Sequence, residues 1–75
     1  MQTKTEEEYY IEDLQHDYAD AVTYCNKWGW DNCIGKGAIE TKEELIRLGA
    51  KIPVNCRIIY NPYRYMKEEL LYDLE

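Results

Sequence analysis

The sequence predicts a small α+β domain, and three stretches carry that prediction. Residues 6–28 run without glycine or proline and repeat apolar side chains at helical spacing; residues 54–60 alternate in polarity after Pro53; a short helical pattern lies between them. At 75 residues a chain buries only about 60% of the surface its unfolded form exposes, so one thin core and one domain spanning 1–75 are expected. Hydrophobic residues are 45% and charged residues 32% of the chain, a composition too apolar for disorder.

In the first stretch Ile11, Leu14, Tyr18, Ala21, Cys25 and Trp28 follow one another by threes and fours, the seam of a helix from Glu6 to about Trp28. Thr5 followed by Glu8 fits a capping box, and Glu6 to Glu8 suit the positive end of the helix dipole. Gly29 to Gly37, with three glycines and an Asp-Asn pair, reads as a loop. Ala38 and Ile39 read as a short strand, and Thr41 with Glu44 as a second capping box. That box opens a two-turn helix, Lys42 to Leu48, which buries Leu45, Ile46 and Leu48 and ends at Gly49. Val54, Cys56, Ile58 and Tyr60 then form one face of a strand. Asn61-Pro62 suits a helix start, giving a third helix from Pro62 to Leu74. The expected domain is a long N-terminal helix plus two shorter helices packed on a two-stranded β element.

The net charge of −6 is segregated. The first 24 residues hold seven acids against Lys4 alone, while the remainder balances eight acids with eight bases. On a helical wheel Glu6, Asp13, Asp17, Asp20 and Tyr24 share one sector beside the apolar seam. Like charges at these spacings cost about 0.2–0.5 kcal/mol per pair. A sequence shaped only for helix stability would alternate signs.

Such a face suits docking on a basic surface, and basic surfaces are commonly nucleic-acid-binding grooves. In charge and size the chain resembles, as a class, the small acidic DNA mimics that phages use against host defence, anti-CRISPR proteins among them. The likeness involves no shared motif. Duplex DNA carries one charge per about 1.7 Å, so some 18 over 30 Å, against seven on a helix of about that length. Mimicry would need Glu43, Glu44, Glu68 and Glu69, or a second protomer, to contribute.

No enzyme is expected. Serine is absent, and the only histidine, His16, lies half a helical turn away from Cys25. The spacing of Cys25, Cys33 and Cys56 contains no paired-cysteine knuckle, so neither zinc nor any other cofactor is expected. Gly35-Lys36-Gly37 lacks the pattern of a phosphate loop. An odd cysteine count and no signal-like start suggest a cytoplasmic setting, and no apolar run is long enough for a membrane.

Eight tyrosines and two tryptophans supply anchors. Trp30 and the cluster Tyr60, Tyr63, Arg64 and Tyr65 join the acids as expected partner-binding residues, since Tyr, Trp and Arg dominate interface hot spots. The expected function is a non-enzymatic inhibitor that occupies a basic, nucleic-acid-binding host protein without contacting nucleic acid itself. Two rival expectations are a homodimeric scaffold using the seam of the first helix and a DNA-binding regulator. TKEELIRLGAKIP resembles the first half of a helix-turn-helix, though Pro53 leaves no recognition helix after it.

Overall fold

The computed structural model describes residues 4–59 and 67–73. Helix α1 spans Glu6–Trp28, α2 spans Cys33–Arg47, β1 spans Pro53–Ile59 and β2 spans Lys67–Tyr72. The α+β class is as expected, with two helices among the described residues where three were anticipated.

The long first helix forms at its expected bounds. The Thr5 side chain accepts from the Glu8 backbone N–H at 3.2 Å, and Gly29, at φ 105°, closes the other end by donating to the Cys25 carbonyl. The apolar seam faces inward as far as Cys25. Tyr18 and Cys25 are buried together with neighbouring Val22, and Ile11, Leu14 and Ala21 pack on the core. Trp28 departs from the seam. It is 66% exposed, at the last helical residue before the chain turns toward α2.

The expected glycine loop is instead largely the start of α2. Asn32 caps that helix, accepting from the Gly35 N–H at 2.9 Å and donating to the Gly29 carbonyl. Ala38 and Ile39, read as a strand, lie within it, and Thr41 is an interior residue whose hydroxyl donates to the Gly37 carbonyl. The second capping box therefore does not form. Gly49, at φ 71°, sits where the chain leaves the helix. Its N–H donates to the Ile46 carbonyl and that of Ala50 to the Leu45 carbonyl, the paired bonds of a Schellman motif. Leu45 is fully buried, but Ile46 is 59% exposed, contrary to expectation.

Residues 67–72, expected to be helical, form a strand. β1 pairs with β2 antiparallel, with Cys56 opposite Leu70, Arg57 opposite Glu69 and Ile59 opposite Lys67. The helical propensity of Lys67-Glu-Glu-Leu-Leu yields to pairing with β1, whose backbone groups need a partner. The register breaks between Pro53 and Asn55, and of the apolar face read from the sequence Cys56 is half-buried while Val54 and Ile58 are exposed; Tyr60 lies outside the described residues.

Helix α1 is the common support. Among the described residues α2 and the hairpin each pack against it and not against one another. Tyr18, Val22, Ala38 and Leu45 form the core, with Ala50 and Ile52 packed on it. Toward the sheet, the Thr23 hydroxyl lies 2.6 Å from Asn55 Oδ1 and accepts from the Cys56 N–H, while the Gln15 amide donates to the Lys51 carbonyl.

Candidate functional site

The exposed side of α1 carries a second periodicity, built of acids and aromatics. Glu6, Tyr10, Asp13, Asp17, Tyr24 and Trp28 succeed one another at spacings of three, four and seven, which places them along one helix face, and all are exposed. Among the described residues no Lys or Arg forms an ion pair with Glu6, Asp13 or Asp17. Several cations are engaged elsewhere: Lys4 with Glu12, Arg47 with Glu44, Arg57 with Glu69, and Lys27 over the Trp28 ring at 5.2 Å. The hydrogen bond and charge of Lys4 hold the Glu12 carboxyl below the usual carboxylate range, and Arg47 does the same to Glu44.

Of the residues singled out in the sequence, Glu6, Asp13, Asp17 and Tyr24 lie in this stripe. Trp30 is exposed in the turn between the helices. Tyr60, Tyr63, Arg64 and Tyr65 lie outside the described residues. Tyr10 and Trp28 belong to the face although the sequence pattern does not single them out. Tyr10 stands three residues before Asp13 and Trp28 four after Tyr24, a signal hidden by assigning Trp28 to the core seam.

Asp20 is turned to a different neighbourhood. On α1 it stands one turn beyond His16, and both face the hairpin, where Cys56 of β1 and Glu68 of β2 meet them. One carboxylate oxygen each from Asp20 and Glu68 and the Cys56 sulfur all lie within 4.8 Å of one another. His16 Nδ1 is 3.3 Å from Glu68 Oε2. Burial foremost, then the charges of Glu68 and Asp20, pushes the Cys56 thiol up from its ordinary range. A hydrogen bond with Asp20 also favours the protonated thiol, which donates to that carboxylate. Sequence spacing offers no hint of this cluster, because its members come from three separate elements.

No helix among the described residues is long and apolar enough to cross a membrane. Comparison of the chain with protein-family models, with curated proteins and with solved structures finds no match.

Proposed function

We propose that the protein is a non-enzymatic interaction module whose acidic-aromatic face on α1 occupies the basic surface of a nucleic-acid-binding protein, in the manner of a DNA-mimic or anti-CRISPR-like inhibitor. The carrying observation is the stripe itself. Glu6, Asp13 and Asp17 are exposed without an ion-pair partner among the described residues, and Tyr10, Tyr24 and Trp28 run along the same face. Carboxylates supply steering and charge-assisted bonds to Arg and Lys, and the rings supply contact area at low entropic cost. Trp30, exposed beyond the end of α1, adds a further anchor.

The homodimer reading is less favoured, since Ile11, Leu14, Tyr18, Ala21 and Cys25 of its expected surface are used in packing within one chain. The DNA-binding reading finds no recognition helix among the described residues, because β1 follows α2.

The experiment is affinity capture from bacterial lysate with the wild type and with a Glu6→Gln/Asp13→Asn/Asp17→Asn variant. A basic nucleic-acid-binding protein retained by the first and lost by the second supports the proposal. Identical recovery by both contradicts it. Asp20 is left intact, so that the cluster it belongs to is not disturbed.

A further inference from the structure

The cluster at the junction of α1 with the hairpin combines four donors of mixed chemistry: an imidazole, a thiol and two carboxylates. His16 and Asp20 project from successive turns of one helix, while Cys56 and Glu68 come from the two paired strands. Among the described residues no Lys or Arg forms an ion pair with Asp20 or Glu68. Among the described residues two carboxylates and a thiol thus converge, with His16 beside Glu68.

We propose that His16, Asp20, Cys56 and Glu68 bind one zinc-class divalent cation, which pins the hairpin to α1. The donor set selects the metal. Calcium and magnesium demand oxygen ligands, whereas sulfur with imidazole and carboxylate suits zinc and its neighbours. Three of the four donors already lie close together. With metal–sulfur at about 2.3 Å and metal–nitrogen or metal–oxygen at about 2.0–2.2 Å, a tetrahedral site holds neighbouring donors about 3.3–3.7 Å apart. His16 Nδ1 and Glu68 Oε2 already stand 3.3 Å apart, while His16 lies outside the group of mutually close donors and joins it by turning its ring. The Asp20, Cys56 and Glu68 donors, within 4.8 Å of one another, close by about 1 Å through side-chain rotation, which exposed Asp20 and Glu68 are free to make. Binding takes the Cys56 proton, so the thiolate ligates and a proton goes to solvent. The consequence is structural, since a two-stranded hairpin is marginal alone and a metal bridging it to α1 ties it down.

The test is titration of the reduced full-length chain with cobalt(II), an optical stand-in for zinc. The expected result is one cobalt per chain with a thiolate-to-metal charge-transfer band, release of protons, and displacement by zinc. The band is lost in Cys56→Ser and kept in Cys33→Ser. Asp20→Asn and His16→Ala each weaken binding at least about ten-fold with circular dichroism unchanged. Should Cys56→Ser fail to fold, these two variants carry the test. No charge-transfer band at millimolar cobalt overturns the proposal. So does a band that survives Cys56→Ser or vanishes in Cys33→Ser, or unchanged affinity in both Asp20→Asn and His16→Ala.

Discussion

Gly35 and Gly37 stand two residues apart in α2, yet substitution at the two should act in opposite directions. A Cβ on Gly35 would overlap the Trp30 carbonyl, a backbone group held in the capped turn, whereas one on Gly37 meets nothing. Gly37→Ala should therefore stabilise by about 0.5–1 kcal/mol through helix propensity, and Gly35→Ala should destabilise by about 1–3 kcal/mol through overpacking. Urea denaturation of the two variants checks this, and equal shifts would contradict the turn geometry. Tyr72, at the end of β2, sets an alkaline limit. Burial, and then the charge of Glu12, pushes its phenol up from the ordinary value. The fold thus favours the neutral ring, whose contribution is fully present below the unfolded value and is lost as pH rises through the folded one. Tyr72→Phe has no such proton to lose. Its unfolding free energy should fall less than that of the wild type when the pH is raised across the tyrosine range, and an identical fall in both would remove Tyr72 from the account.

At the scale of elements, α1 carries the rest. Truncating fully buried Leu45 to Ala should cost about 2–5 kcal/mol, loosening α2 from the core that it shares with α1, as thermal or urea unfolding would show. Thr23→Val acts on the other mounting. It keeps the shape but removes the hydroxyl that reaches Asn55 and accepts from the Cys56 N–H, at a cost of about 1–2 kcal/mol. Hydrogen exchange on that variant should show β1 amides losing protection more than those of α2. Equal losses in both would mean that the hairpin and α2 are not separately mounted on α1. Helix α1 is legible in the sequence because its cap, its uninterrupted run and its inner seam all agree from Thr5 to Cys25. The start of α2 is hidden because Gly35 and Gly37 look like loop residues, while the feature that makes them helical is the single Asn32 cap. β2 is hidden for another reason. Lys67-Glu-Glu-Leu-Leu has helical local preferences, and only pairing with a distant strand overrides them.

At the scale of the whole fold, six hydrophobic residues are buried and eleven large ones remain exposed among the described residues. That imbalance suits a chain that completes its burial against a partner. The charge segregation behind the proposed docking face is visible in the sequence. Its aromatic half is visible only in part: Tyr24 shares the acids' sector, but Trp28 fits the seam's spacing and only the end of helix packing at Cys25 leaves it outside. The junction of His16, Asp20, Cys56 and Glu68 is invisible there, since no local spacing encodes a meeting of three elements. The docking face is tested most directly by competition. Proteins captured by the immobilised wild-type chain are challenged with duplex DNA at constant ionic strength, and release is quantified by mass spectrometry. DNA should release a basic nucleic-acid-binding protein that the Glu6→Gln/Asp13→Asn/Asp17→Asn variant never retained. Captured proteins that resist DNA and bind the variant equally well would contradict it.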